Sequence, residues 1–403
     1  MRGTPRIAGL DNLRALAIVL VLLVHYLIYH KPPNWVAPLA ATGWTGVDLF
    51  FVLSGFLIGH MLMKEVQASD KIDLTRFYIN RALRILPLYY FVLGVYFIFP
   101  GLHEKSSGGL QPLWRYVTFT QNLPGQLNTT FSHSWSLSVE EHFYILFPIL
   151  LLGVARLLRR TPRSTESPAS ASHKTGVKVV LIFLFILFLG LLTKYLTWSA
   201  LVDPLLGRSR AFSYFEWMYY PSFNRFDGLF FGVVIAVVKA YKPHWAAPIR
   251  KFRYLFFGLG LATLVVALWM TGVVPVSPQA SELPSSVLLY TMVGLGYAFF
   301  VLPAAHGKPS NSFLAKPTRY LAVWSYSIYL THKMSYEFVD AQVVELVELG
   351  ATTTMVVSIV FAVAVGAAVY YAVERPFMIL KSSLKMNRPA APESDRELVT
   401  VSD

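Results

Sequence analysis

Residues 13–26, LRALAIVLVLLVHY, form an apolar stretch that contains two ionisable residues, Arg14 and His25. A stretch this hydrophobic is typical of a membrane-spanning helix. Eleven helical steps of about 100° return to within roughly 20° of the starting direction and rise about 16 Å. Both side chains should therefore face the same way, one near each end of the span. Ionisable residues inside a span are costly and indicate function, so we expect a site that extends across the membrane.

The rest of the chain has the composition of a polytopic membrane protein. It has 403 residues, of which 55% are hydrophobic and 14% are charged, whereas a soluble protein carries about a quarter charged residues. We predict an all-α fold in which about ten transmembrane helices form one bundle, a membrane domain over residues 1–378 and a disordered cytoplasmic tail over 379–403. The apolar runs lie near 12–30, 43–63, 85–102, 136–157, 177–197, 223–241, 253–273, 284–304, 319–338 and 351–373.

The positive charges predict the orientation. Most of the 35 Lys and Arg residues fall in or beside alternate connecting segments, which by the positive-inside rule places both termini in the cytoplasm. The net charge of +13 therefore reflects topology, and no nucleic-acid partner is expected. The first apolar run is not followed by a signal-cleavage site. We expect a multi-pass protein of the cytoplasmic (inner) membrane.

Two connecting segments stand out. The Ser/Pro-rich segment 161–174 is predicted to be disordered, and the polar segment 103–134 is predicted to be a surface loop or a partial lid over an outward opening. The chain has no cysteine, which excludes disulfides, thiolate catalysis and cysteine metal sites, and no metal-binding motif has usable spacing.

With this topology, acids and bases from five spans converge on the outer half of the bundle. Carboxylates and histidines are suited to binding hydroxyl groups and to proton transfer. We predict catalytic roles for His25, Asp48 and Glu140, in which either carboxylate orients the imidazole of His25. The candidates for acceptor binding or for supporting contacts are Glu141, Trp135, Asn224, Arg225, Asp227 and His332.

The inner side carries arginines instead, namely Arg14, Arg81 and Arg84. Guanidinium groups bind phosphate oxygens with two parallel hydrogen bonds, so this cluster is suited to a phosphate-bearing ligand. Structural roles remain open at this point. The arginines could be topology anchors, and Glu140 and Glu141 could form a buried ion pair with Arg225.

Other candidates also have structural alternatives. His25 alone could be a packing residue, and His332 could be an interfacial residue. Trp135 could stack on a sugar ring or mark the membrane interface. Ser54, Gly55 and Gly59 form a small-xxx-small pattern, for which we favour helix packing.

Several motifs together resemble the acyltransferase-3 family of integral-membrane O-acyltransferases. They are Arg14-x10-His25, GVDLFFVLSGFLIG (46–59), Arg81-x-x-Arg84, SWSLSVEEHFY (134–144), NRFDGLFFG (224–232), YSIYLTH (326–332) and the closing ERP (374–376). The resemblance covers residues 8–378 and extends to the order of the motifs.

The resemblance implies transfer of an acyl group, usually acetyl, from cytoplasmic acyl-CoA to a hydroxyl on the outer side. Acyl-CoA is then a co-substrate, and no permanently bound cofactor or metal is expected. The expected acceptor is a carbohydrate of surface polysaccharide, lipopolysaccharide, exopolysaccharide, peptidoglycan or glycolipid. His25 matches the family's proposed base, and Arg14, Arg81 and Arg84 match arginines assigned to donor binding or to the pore. An acyl-histidine relay is the mechanistic alternative.

Some members of the family carry an additional extracytoplasmic domain; we expect none here, since the tail after the last span is short, and a separate extracytoplasmic partner is an open expectation. A different class of function, a transporter or flippase of a glycan or lipid intermediate, would also have about ten spans with buried charges. Transporters commonly place their site at the midplane between related halves. Here the charges lie toward two ends and no repeat is visible, which favours the enzyme.

Overall fold

The computed structural model describes residues 7–69, 72–99, 109–124, 130–159, 168–205, 207–270, 282–283, 285–307, 315–344 and 349–383. Within these ranges the fold is helical, without strands. The α-helices are α1 (Ala8–Tyr29), α2 (Ala37–Thr42), α3 (Thr45–Ser69), α4 (Leu74–Ile98), α5 (Leu113–Val117), α6 (Trp135–Arg159), α7 (Pro168–Leu201), α8 (Gly207–Tyr214), α9 (Asp227–Tyr241), α10 (Ala246–Lys251), α11 (Arg253–Met270), α12 (Ser285–Ala305), α13 (Ala315–Val339), α14 (Ala351–Val369) and α15 (Arg375–Ser383).

Each of the ten predicted spans corresponds to one helix, but not all ten helices are long and apolar enough to cross a membrane. In the described part of the chain, eight helices are long and apolar enough to cross a membrane. The two predicted spans without that property are α9, which has only 15 residues, and α13, which is rich in polar residues. The protein is therefore a helical multi-pass membrane protein, and its orientation stays a prediction.

Outside the spans, three predicted segments extend partly into the described residues. Helix α7 begins at Pro168, so the second half of the segment predicted to be disordered is helical, while 161–167 lie outside the described residues. Helix α15 continues to Ser383, so the first residues of the predicted tail are also helical, and 384–403 lie outside the described residues. Of the predicted loop 103–134, residues 109–124 and 130–134 are described and include α5.

Glycines bring α3 and α9 into backbone contact. A Cβ atom added at Gly55 would lie 2.0 Å from the carbonyl oxygen of Leu229, and one added at Gly232 would lie 2.2 Å from that of Val52. At Gly59 the added atom would lie 2.9 Å from the Cβ of Ala236. Small residues allow this close approach in membrane helices, where packing drives association. The helix-packing interpretation of Gly55 and Gly59 is therefore confirmed.

Substitution of Gly55 tests this contact between α3 and α9. Gly55→Ala should lower the melting temperature of the purified protein by several degrees, because overpacking a close interface costs about 1–3 kcal/mol. The matched control is Gly94→Ala on α4, where an added Cβ would meet nothing within 4 Å. Equal melting temperatures for the two variants, measured in the same detergent, would contradict the prediction.

Candidate active site

A cavity of about 290 Å³ lies between α1, α3, α4, α6, α13 and α15. On α3 its lining residues recur every three or four positions from Val47 to Met61. Fourteen helical steps of about 1.5 Å give the cavity a length of about 21 Å along that helix. The cavity therefore runs along the bundle rather than across it.

One end of this cavity is strongly basic. Arg14, Arg81, Arg84 and Lys381 line it together with a single carboxylate, that of Glu140. The Arg81 guanidinium lies over the Tyr144 ring, 4.8 Å from its centroid. We call this group of four cations the arginine end. The structure brings together the three arginines that the sequence assigned to one site.

Glu140 belongs to this cavity and not to His25. Its Oε1 accepts a hydrogen bond from Ser54 (3.0 Å), and its Oε2 accepts one from Tyr144 (2.5 Å). Glu141, its neighbour on α6, has an Oε1 atom that is buried without a hydrogen-bond partner among the described residues. The geometry thus disfavours the predicted role of Glu140 in orienting the His25 imidazole, because the carboxylate faces the arginine end.

Beyond the other end of the cavity, three histidines from different segments lie side by side. The ring centroid of His25 on α1 lies 4.7 Å from that of His332 on α13 and 6.3 Å from that of His133. The rings of His133 and His332 are 5.1 Å apart. We call these three residues the histidine cluster. The sequence predicted His25 and His332 at one site but missed His133.

Hydrogen bonds to backbone carbonyls fix the tautomer of each neutral ring. His25 Nδ1 lies 2.9 Å from the Val21 oxygen, His332 Nδ1 lies 2.7 Å from the Tyr329 oxygen, and His133 Nε2 lies 3.3 Å from the Leu330 oxygen. A carbonyl oxygen only accepts, so each of these nitrogens carries the hydrogen. The second nitrogen of each neutral ring is then a free acceptor, which is what a general base requires.

The remaining predicted acids and bases form a separate polar network. Arg225 donates to Asp48 (3.0 Å) and its guanidinium lies 3.5 Å from the centroid of the Tyr290 ring. Asp227 accepts from Lys194 of α7 and from Thr291 (3.2 Å). The four charged side chains are buried, and their ion pairs link α3 and α7 to the start of α9 in the interior of the bundle. A buried pair of this kind is costly to break, which favours a structural role.

This network changes two interpretations. The partner of Arg225 is Asp48, so the alternative in which Glu140 or Glu141 pairs with Arg225 is not what the structure contains. Asp48 in turn is engaged with Arg225 rather than with His25. Lys194, the partner of Asp227, was not among the predicted site residues. The sequence does carry a signal for it, because a lysine in the outer half of a predicted span is unusual.

Two further predicted acceptor-binding residues are also buried. Trp135 is 6% exposed and its ring packs 5.1 Å from the Arg225 guanidinium, so it does not present a free face to a sugar. Asn224 donates to the Trp217 carbonyl (2.8 Å). Together with Asp227 it lines a second cavity of about 210 Å³ between α7 and α9.

Comparisons with known proteins agree with the motif resemblance. The family described as an acyltransferase domain matches residues 7–373. O-acetyltransferase OatA of Staphylococcus aureus is 32% identical over 161 residues, which are 37% of this chain and 25% of that protein. Peptidoglycan O-acetyltransferase OatA of Listeria monocytogenes is 27% identical over 347 residues, or 81% of this chain and 49% of that protein.

The chain thus spans between a quarter and a half of the length of these curated relatives. No solved structure shows significant similarity to it. The family match covers helices α1 to α14, including those that carry the histidine cluster and the three arginines of the arginine end, whereas α15 with Lys381 begins after the matched residues. The resemblance drawn from the motifs is therefore confirmed, and the chain belongs to the acyltransferase family of integral-membrane proteins.

Proposed function

We propose that the protein is an O-acyltransferase that moves an acyl group, acetyl by preference, from acyl-CoA to a hydroxyl group of a carbohydrate. The observation that carries this proposal is one long cavity with four cations at one end and three imidazoles just beyond the other. The relatives named as O-acetyltransferases, one of them for peptidoglycan, support a carbohydrate acceptor.

The arginine end suits the nucleotide part of CoA. Its four cations outnumber the one carboxylate of the lining, and guanidinium groups match the geometry of phosphate oxygens. Ligand pockets measure roughly 300–1,000 Å³, so a cavity of about 290 Å³ is small for a whole CoA molecule. In our proposal the cavity holds the pantetheine arm and the thioester, while the phosphates lie at its basic mouth.

The histidine cluster supplies the base. The Nε2 atom of His25 accepts the proton of the acceptor hydroxyl as that oxygen attacks the thioester carbonyl. The C–S bond then breaks, and the CoA thiolate takes the proton from the imidazolium. The Nε2 atom of His332 is buried without a partner among the described residues. Because the His332 ring lies beside that of His25, we propose that it accepts a hydrogen bond from a second hydroxyl group of the same carbohydrate.

The predicted orientation places the arginine end on the cytoplasmic side, where acyl-CoA is made, and the histidine cluster toward the outer side. Under this orientation the acyl group crosses most of the membrane inside the protein. An enzyme of the cytoplasmic membrane with an external carbohydrate acceptor follows from that arrangement. A separate extracytoplasmic partner would then act on the acylated product or deliver the acceptor.

Inverted membrane vesicles test the proposal. Vesicles from cells that express the protein expose the cytoplasmic side, so added acetyl-CoA with a labelled acetyl group reaches the arginine end directly. We expect alkali-labile label in the carbohydrate fraction, and much less in vesicles without the protein. Label that remains free inside the vesicles would instead support a transporter, and absence of label from carbohydrate would overturn the proposal.

A further inference from the structure

A pair of hydroxyl groups closes the cavity at the end away from the arginines. Ser136 of α6 and Tyr329 of α13 both line the cavity, and their oxygens are 2.6 Å apart. Tyr329 donates to the carbonyl oxygen of His133 at 2.6 Å, so the hydrogen between the two hydroxyls comes from Ser136. The Tyr329 ring is 6% exposed, and these bonds hold it across the end of the cavity.

The histidine cluster lies directly behind this pair. On α13 the cavity face includes Ser325 and Tyr329, and His332 follows one helical turn further along. On α6 the cavity face includes Glu140 and Ser136, and His133 lies in the short 3₁₀ helix that immediately precedes α6. Both α13 and the segment before α6 therefore connect the cavity to the cluster.

Among the described residues, the Tyr329 side chain lies between the cavity and the histidine cluster. The Tyr329 ring centroid lies 5.6 Å from that of His133 and 5.9 Å from that of His332. On its cavity side the same ring packs against Phe50, with 6.4 Å between centroids. An acyl group that moves from the cavity toward His25 along this face of α13 therefore passes Tyr329.

We propose that Tyr329, held by Ser136 and the His133 carbonyl, is the residue that sets the length of the acyl group. This inference rests on the proposed function and adds a specificity determinant to it. A two-carbon acyl group passes after a small displacement of the phenol ring. A longer chain collides with the ring, which lies between Phe50 and the histidines. The donor class is therefore short acyl-CoA.

The test compares two donors, acetyl-CoA and butyryl-CoA, in the vesicle assay with each acyl group labelled. In the wild-type protein we expect acetyl transfer to exceed butyryl transfer by at least tenfold, since each methylene in a shaped pocket is worth roughly 10- to 200-fold in discrimination. Tyr329→Ala removes the ring and should raise the butyryl-to-acetyl ratio at least tenfold. Tyr329→Phe keeps the ring but loses both hydrogen bonds that hold it, so its butyryl-to-acetyl ratio should lie between those of the wild-type protein and of Tyr329→Ala.

Tyr297 of α12 provides the matched control. It is also a buried tyrosine with a hydroxyl-to-hydroxyl bond, 2.7 Å to Thr45, but it lies outside the cavity lining. Tyr297→Ala should leave the butyryl-to-acetyl ratio unchanged even where it lowers the amount of folded protein. Tyr329→Leu, which is bulkier than alanine, tests the same prediction if the alanine variant does not fold.

The possible outcomes separate this inference from the proposed function. Acetylated carbohydrate with an unchanged ratio in folded Tyr329→Ala or Tyr329→Leu would overturn the role of Tyr329 and leave the transferase intact. Equal use of both donors by the wild-type protein would also overturn it. Failure of the wild-type protein to label carbohydrate from either donor would overturn the proposed function itself.

Discussion

His25→Ala is expected to reduce acyl transfer by about 10²- to 10⁴-fold, which is the usual contribution of a general base. Within the described part of the chain the imidazole hydrogen-bonds only a backbone carbonyl of its own helix, at Val21, so its loss should leave the bundle folded. The measurement is the rate of label incorporation into carbohydrate from acetyl-CoA, at equal amounts of protein in the membrane.

The control for this prediction is His30→Ala. His30 directly follows α1 and is also an imidazole, but it pairs with Asp340 (2.6 Å) and stacks on Tyr26. It therefore lies outside the histidine cluster. Near-normal transfer by His25→Ala would exclude both the general-base mechanism and the acyl-histidine relay at this residue.

Arg84→Ala is expected to raise the KM for acyl-CoA by about ten- to a hundredfold. A hydrogen bond to a charged group contributes about 1.5–3 kcal/mol, and every 1.4 kcal/mol corresponds to about tenfold in affinity. Arg81→Ala should act in the same direction, with an added loss of its contact with Tyr144. Lysine at either position should restore affinity in part, because it returns the charge without the planar fork.

Arg76 separates donor binding from a general effect of positive charge. It lies on the same helix α4 but does not line the cavity. Arg76→Ala should leave the KM unchanged. If Arg84→Ala instead lowers membrane insertion at an unchanged KM, the arginine end consists of topology anchors and the donor binds elsewhere.

The sequence is sufficient to predict most of the helices, the grouping of Arg14, Arg81 and Arg84 around one cavity, and the proximity of His25 to His332. Arg14 and His25 are far apart in space, but they lie on one helix, so helical geometry alone relates them. The pair Arg81 and Arg84 is likewise local. Such predictions succeed because neighbours three or four residues apart on a helix share a face.

The partners of the buried carboxylates could not be obtained in this way. The sequence places both Asp48 and Glu140 near His25, because it indicates the depth of each residue in the membrane and not the direction in which its side chain points. Their partners depend on the rotation of each helix: Asp48 pairs with Arg225, and Glu140 accepts hydrogen bonds from Ser54 and Tyr144. The depth of a residue in the membrane gives its level along the bundle axis, whereas its neighbours are determined by how the helices pack.

His133 was missed for a different reason. It lies in a short 3₁₀ helix, Ser132–Ser134, just before α6, and no span-length pattern draws attention to such a residue. Tyr329 was missed because the chain has 22 tyrosines, and aromatic residues of a membrane protein ordinarily belong to interface and core. The contacts of each residue are with segments that are distant in sequence: His133 lies beside α1 and α13, and Tyr329 of α13 bonds to Ser136 and His133.

Helix α3 has consequences for any attempt to redesign the donor specificity. Ser54 faces the cavity, while its neighbour Gly55 touches the backbone of α9, so the two sides of one helix cannot be adjusted separately. A bulkier donor therefore cannot be accommodated by displacing α3. Engineering should instead shorten apolar side chains that line the cavity from other helices, such as Ile85 of α4 and Leu137 of α6.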